Sequence, residues 1–300
     1  MYVPSEAVGS DCLSYIQYAY PLYLHKMIYD HLKEDQSWYQ RFHDNYFLYA
    51  NVIMQQAEEM LKFSNVLDQD DKQVALRNVL LNKFAFFNHS FYEDDNFREY
   101  AGEVTDINPL SSVFVSNLKP LIRFNYDKDE KLWIIPQVRV NALHLTDTHA
   151  NFFDWGIFLF DAYDKDFSPL LTLSSCGFAM SHELAHTLGT ELKGVSGVYK
   201  HNIDCLVDFY ANQCDPISLL CLNPVATLEE NLADTVGARL AYDTYKKWVS
   251  IKGHGPRPRG PLLDTFSDDQ LFFINFAQNF LETIDWQAYD PDHPTHPPTS

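Results

Sequence analysis

Basic residues are scarce in this sequence. Its 300 residues include 22 lysines and arginines against 41 aspartates and glutamates, which gives a formal net charge of −19 at pH 7. Nucleic-acid binding depends on clustered lysine and arginine side chains that neutralise phosphates. The charge balance therefore argues against a nucleic-acid partner. It fits a soluble acidic surface, and it is weak evidence that cationic or neutral peptides are favoured.

Long apolar runs are missing as well. No stretch of 18 or more apolar residues occurs, so we expect no membrane span in this chain. The first residues, MYVPSEAVGSDC, lack the basic and then apolar pattern of a signal peptide. Hydrophobic residues nevertheless make up 46% of the chain, which is typical of a globular protein with a sizeable core.

Cysteine pairs of the C-x-x-C type are absent, which argues against a structural zinc cluster. The five cysteines are an odd number, and Cys214 and Cys221 flank a short loop that a disulfide could close. One N-glycosylation sequon, at residues 88–90, hints at secretion, although such short patterns often arise by chance.

Hydrophobic periodicity predicts a mainly helical protein with one small mixed β-sheet near its middle. Segments between residues 131 and 160 are rich in β-branched and aromatic residues, which favours strands there. Pro21 is expected to kink the first helix. The predicted helices cover 11–64 (two helices), 73–88, 109–120, 171–189, 200–213, 225–250 and 267–284.

The most informative motif is H-E-x-x-H, formed by His182, Glu183 and His186 within MSHELAHTLG. Histidines four residues apart lie on one face of a helix, where two imidazoles can bind one zinc ion. Glu183 follows the first histidine and can polarise a zinc-bound water. The preceding residues are apolar, so we expect a buried helix, in which a metal removes the cost of burying two imidazoles.

A catalytic zinc ion also needs a third protein ligand and one open position. The segment LEENLADTVGARLAY offers Glu230 and Asp234, four residues apart on a second predicted helix. Glu230 could complete the zinc ligands, and Asp234 could accept a hydrogen bond from a ligand histidine. The alternative is that Glu229, Glu230 and Asp234 are the acidic, solvated start of a helix, favoured by the helix dipole.

Together these motifs resemble the neprilysin and endothelin-converting-enzyme family of zinc metallopeptidases. HELAH is followed 44 residues after His186 by ENLAD. VNALH at 140–144 is similar to the family's V-N-A-F/Y-Y edge strand, and DQLFFINFAQNF at 269–280 to its Q-L-F-F-x-x-F-A-Q helix. The resemblance is strong over about 126–282 and weaker over about 10–90.

The resemblance implies a thermolysin-like, or gluzincin, zinc metallopeptidase domain over 109–300 that is incomplete at its C-terminus. Residues 1–108 resemble the helical end of the family's N-terminal region. The implied function is a zinc-dependent endopeptidase that hydrolyses short peptides, with one Zn²⁺ per chain. The implied location is extracellular or at the cell surface, because family members are often anchored upstream.

The resemblance also assigns roles at the motif. His182, His186 and Glu230 would bind zinc, and Asp234 would orient a ligand histidine. Glu183 would be the general base that activates the zinc-bound water, and it would later carry the proton to the leaving amine.

Four further residues match substrate positions of the family. Asn141 and Ala142 would hold the substrate backbone by strand-like pairing and an amide hydrogen bond. Phe178 and Ala179 would help line the pocket for a hydrophobic side chain. The alternative for Phe178 is plain core packing.

The sequence departs from the family directly after the second histidine. The family has G-F-D there, and its aspartate supports the site, whereas this chain has Thr187, Leu188 and Gly189. That support is missing at position 189, and Glu191 is a possible substitute.

A second departure lies near the end of the chain. The family has a late histidine that stabilises the oxyanion and then an arginine that positions the substrate. His296 matches the histidine, with His293 as the other candidate, and the arginine is absent. Donors of this kind are worth roughly 10²–10³ in rate. The alternative is that His296 is a tail histidine with no such role.

Two cysteines, Cys12 and Cys205, match family cysteines whose partners lie outside residues 1–300. We therefore expect the chain to be part of a longer secreted or membrane-anchored protein.

The two departures from the family also motivate a second hypothesis, a catalytically impaired relative that binds peptides or partners. A third hypothesis, a helical structural protein with an accidental H-E-x-x-H, predicts no metal.

Overall fold

The computed structural model describes residues 21–85, 141–154, 156–157, 164, 167–191, 197–214, 219 and 221–280. The chain divides into two compact units. The first comprises Met1–His43, Phe86–Asn141 and Phe152–Gly156, and the second comprises Asp44–Ala85, Ala142–Asn151 and Ile157–Ser300. The boundary expected between residues 108 and 109 lies outside the described residues, so the division into 1–108 and 109–300 stays a prediction.

Helices account for most of the described residues. They are α1 (Pro21–Glu34), α2 (Gln36–Phe63), α3 (Gln69–Leu81), α4 (Pro169–Ser174), α5 (Cys176–Glu191), α6 (Gly197–Tyr210), α7 (Leu228–Lys252) and α8 (Asp268–Gln278). The strands are β1 (Lys83–Ala85), β2 (Ala142–Leu145) and β3 (Ala150–Phe153), paired in the order β1–β3–β2. This confirms the predicted mainly helical fold with a small mixed sheet.

The first unit contains α1 and the start of α2 among its described residues. Tyr29 and Phe42 are buried there, and the ring of Tyr39 meets that of Tyr29 edge-on at 5.7 Å between centroids. Aromatic pairs of this geometry add to the free energy gained by apolar burial. Pro21 is the first described residue of α1, so the kink expected there stays a prediction.

The helix predicted over 73–88 ends earlier than expected. It begins after Asp68, whose side chain accepts hydrogen bonds from the backbone N–H groups of Asp70 and Asp71. Asn82 follows the last turn in an extended conformation, and the strand β1 begins at the next residue. The prediction is wrong in this part because the short apolar segment after Asn82 pairs with β3 instead of continuing the helix.

The second unit is built around two packed helices, α5 and α7. Met180 and Leu184 of α5 and Leu240 of α7 are almost fully buried. Gly237 lets the helix backbones approach closely, because a Cβ atom at this position would lie 2.8 Å from the Cα atom of His182. Small residues at such a crossing shorten the distance between the helices.

Two asparagines form hydrogen bonds between α8 and the end of α4. The side-chain amide of Asn275 donates a hydrogen bond to the Ser174 hydroxyl at 2.7 Å, and that of Asn279 donates one to the Ser174 carbonyl at 2.9 Å. These bonds help to place the aromatic residues of α8 beside the start of α5, where Phe276 packs against Phe178.

The predicted disulfide between Cys214 and Cys221 is present. Cys205 is exposed, and its expected pairing with a cysteine outside the chain stays a prediction. Cys12 and the sequon at 88–90 lie outside the described residues. Over the part of the chain that the structure describes, no helix is both long enough and apolar enough to cross a membrane.

We expect Gly237→Ala to lower the free energy of unfolding by about 1–3 kcal/mol, because the new methyl group meets the backbone of His182. Urea unfolding of the metal-free chain measures this. Gly197→Ala is the matched control, since a Cβ atom at the first position of α6 meets nothing within 4 Å. Equal unfolding midpoints for the two variants would contradict the close helix contact.

Candidate metal centre

Two helices bring the predicted metal ligands together. His182, Glu183 and His186 lie on α5, and Glu230 and Asp234 lie in the first turns of α7. In each helix the four-residue spacing places two side chains on one face, one turn apart. The prediction of a buried motif is confirmed, because His182 is 4% and Glu183 6% exposed.

Three possible ligand atoms converge on one point. The Nε2 atoms of His182 and His186 are 3.1 Å apart. The Oε2 atom of Glu230 lies 3.3 Å from the first and 3.7 Å from the second. A tetrahedral zinc ion with bonds of about 2.0–2.1 Å holds its ligand atoms about 3.3 Å apart. The observed triangle therefore has the size that a zinc ion requires.

The electrostatics of the site favour a cation. Burial by itself lowers the pKa of His182, but hydrogen bonds to Asp234 and Glu230 and the charge of Glu183 outweigh burial and raise this pKa to about 10. Three carboxylates therefore act on one buried imidazole. A metal ion among these groups balances the same negative charge that otherwise retains a proton on the ring.

Asp234 is hydrogen-bonded to one of the candidate ligand histidines. Its Oδ1 atom lies 2.9 Å from Nδ1 of His182 and accepts the Nδ1–H hydrogen bond. This bond directs Nε2 of His182 towards Nε2 of His186 and towards Glu230. Carboxylates behind metal-bound histidines fix the ring and its tautomer in this way.

Phe178 lies directly beside the convergent groups. Its ring meets that of His182 edge-on at 5.9 Å, and it packs against Phe276 at 4.8 Å and Phe280 at 5.4 Å between centroids. It is buried, as the core-packing alternative expects, while Ala179 beside it is half-buried. A role of either residue in lining a substrate pocket stays a prediction.

The other predicted substrate residues lie at the start of β2. Asn141 is exposed, and its carbonyl accepts a hydrogen bond from the N–H group of Asp154 at 2.9 Å. Ala142 is half-buried and begins the strand. Their roles in binding substrate stay predictions. His293, His296 and the side chain of Glu191 lie outside what the structure describes.

Sequence reasoning missed a third imidazole, that of His144 on β2. Its ring lies parallel to that of His186, with centroids 6.4 Å apart and an angle of 17° between the planes. Its Nδ1 atom lies 2.7 Å from Oδ1 of the fully buried Asn151. The signal was in VNALH, which has histidine where the family pattern V-N-A-F/Y-Y has tyrosine.

The part of the chain that contains these residues matches a known protein family. Residues 141–299 match the sequence model of peptidase family M13, which is more than half of the chain. The chain belongs to peptidase family M13. This confirms the resemblance to the neprilysin and endothelin-converting-enzyme family.

Named relatives cover more of the chain than that model. Human endothelin-converting enzyme-like 1 is 31% identical over 61% of this chain, and human neprilysin is 28% identical over 75% of it. This M13 chain spans 25% of the length of the first relative and 30% of the length of the second.

A solved structure shares the fold. The zinc metalloprotease Zmp1 of Mycobacterium tuberculosis, in complex with an inhibitor, superposes with a TM-score of 0.61 at 13% identity. The match covers 88% of this chain and 41% of that one. This likeness supports the predicted gluzincin fold.

We expect Asp234→Asn to weaken zinc binding by about 10–100-fold, because the ring of His182 loses the carboxylate that orients it. Competition with a chromophoric chelator measures the affinity. Asp243→Asn is the matched control, since Asp243 lies on the same helix and pairs with Arg239 at 2.6 Å instead. The assignment fails if the two variants bind zinc equally well.

Proposed function

We propose that this chain is the catalytic part of a zinc-dependent endopeptidase that hydrolyses short peptides. One zinc ion per chain would be held by His182, His186 and Glu230. The observation that carries the proposal is the triangle formed by two imidazole nitrogens and one carboxylate oxygen, with sides of 3.1, 3.3 and 3.7 Å.

The donor set supports zinc in particular. Two histidines and one glutamate are a known ligand set of catalytic zinc, and three protein ligands leave one position open for water or substrate. Among the residues that the structure describes, these three side chains offer possible ligand atoms that all lie within 4.8 Å of one another. Membership in family M13 supports the same assignment.

Zinc, when bound, supplies Lewis-acid chemistry that polarises a carbonyl group and acidifies water. The protein's own residues would then move the protons. Glu183 would accept a proton from the attacking water and pass it to the leaving amine. The charge of its buried carboxylate helps to raise the pKa of His182, the neighbouring residue in the chain. Asp234 would keep the ring of His182 in place during this transfer.

Peptide substrates would be held along the edge strand. Asn141 and Ala142 would pair with the substrate backbone, and Phe178 and Ala179 would border a pocket for an apolar side chain. His296 would donate a hydrogen bond to the developing oxyanion. We expect no nucleic-acid partner, since the net charge is −19.

An oxidising compartment fits this proposal. The disulfide between Cys214 and Cys221 is of a kind that persists outside the reducing cytosol. The extracellular space or the cell surface is therefore the proposed location.

The second candidate function is a catalytically impaired relative that binds peptides or partners. The glycine at position 189 and the missing arginine after His296 favour it. Turnover of an internally quenched peptide, blocked by a chelator and restored by zinc, would reject this candidate. Zinc binding without turnover would support it.

We expect Glu183→Gln to bind zinc normally and to lose peptide hydrolysis by about 10²–10⁴-fold, because the amide cannot accept the proton. Zinc content and the turnover of a quenched peptide are measured on the same sample. Full peptide hydrolysis by this variant would contradict the role of Glu183 as general base.

We expect about one zinc ion per purified wild-type chain, which follows from a single three-ligand site. Glu230→Ala should reduce the zinc content strongly, because only two protein ligands remain. Glu58→Ala is the matched control, since the half-buried Glu58 pairs with Lys62 on α2. A folded wild-type chain without zinc would contradict the proposed function.

A further inference from the structure

Gly189 and Glu229 meet at the contact between α5 and α7. A Cβ atom built at position 189 would lie 2.0 Å from Oε2 of Glu229 and 3.2 Å from its Cδ atom. These distances leave no room for a side chain at 189 while Glu229 keeps its place. The glycine therefore makes the space that the carboxylate fills.

This contact joins the chain neighbours of two metal ligands. Gly189 comes three residues after His186, so it lies one turn further along the same face of α5. Glu229 directly precedes Glu230 in the first turn of α7. A displacement of Glu229 that reaches its backbone would therefore also move Glu230.

A second glycine contact marks the other end of the site. Gly237 of α7 faces His182, and Glu229 faces Gly189, so the two helices run in opposite directions here. The interval from 182 to 189 and that from 229 to 237 each span about two helical turns. All three ligand atoms lie within this short stretch, between the two contacts.

Tyr199 contacts the same part of α5. Its hydroxyl donates a hydrogen bond to the carbonyl of Leu188, the residue before Gly189, at 2.8 Å. Glu229 lies in the first turn of α7, where the helix dipole favours a carboxylate.

We propose that Gly189 and Glu229 form a positioning pair, in which Glu229 fills the space left by the glycine and thereby holds Glu230 at ligand distance from the two histidines. The family that this chain resembles carries an aspartate at position 189. In this chain a carboxylate occupies that place from the opposite helix, as the side chain of Glu229 on α7. The proposal rests on the proposed zinc site and deepens it.

A double-mutant cycle on zinc affinity tests the pair in the full chain. We expect Gly189→Ala to weaken zinc binding by about 10–100-fold, because its methyl group displaces Glu229. In the Glu229→Ala background the space is vacant, so the same change should cost little further affinity. Such non-additivity identifies residues that act through one contact.

Two more variants separate positioning from general destabilisation. Glu229→Gln fills the same space and should keep wild-type zinc affinity. The exchange variant Gly189→Asp/Glu229→Gly supplies the side chain from α5 and should bind zinc more tightly than either single change. Thermal unfolding of each metal-free variant is measured alongside, and a merely structural role predicts that affinity falls only where the unfolding temperature falls.

The outcomes are distinct. Equal losses of zinc affinity from Gly189→Ala in both backgrounds, or no loss in either single variant, would overturn the positioning pair while the zinc site stands. A wild-type chain that is folded and binds no zinc would instead overturn the proposed function, and the pair with it.

Discussion

The close approach of α5 and α7 is the constraint on which the site depends. Backbone atoms meet at Gly237 and His182, and a side chain of α7 occupies the place of a missing side chain at Gly189. A glutamate side chain can reach a residue on a partner helix only when the two helices lie close together. Because this distance is held at two points, Glu230 lies within 3.7 Å of both histidine nitrogens. Packing, in this molecule, sets the distances among the three candidate ligand atoms.

Burial and charge act together on the same groups. The imidazole of His182 is surrounded by apolar residues of the core, which disfavours its charged form, and by three acidic side chains that reverse this effect. The protein thereby concentrates negative charge in a region with little water, where electrostatic interactions are strong. A divalent cation is the group that best balances this buried negative charge. Asp234 acts on His182 both through its charge and through the hydrogen bond to Nδ1.

Much of the site followed from sequence periodicity alone. Four-residue spacings placed His182 with His186 and Glu230 with Asp234, and apolar flanking residues indicated burial. The contact of Gly189 with Glu229 could not be predicted, because it depends on which helices are neighbours and in which register. For His144 the sequence showed an unusual residue in VNALH, but the distance from its ring to His186 depends on how β2 packs against α5. The end of α3 was misjudged for a related reason, since the pairing of β1 with β3 is a long-range interaction. Roles in substrate binding are set by the bound peptide, which periodicity does not describe.

The most direct test of this account is X-ray absorption at the zinc edge of the wild-type chain. The account predicts nitrogen and oxygen ligands at about 2.0–2.1 Å, scattering from two imidazole rings and no sulfur shell near 2.3 Å. A spectrum with sulfur ligands, or with oxygen ligands and no imidazole, would contradict the central claim that His182, His186 and Glu230 form the metal site.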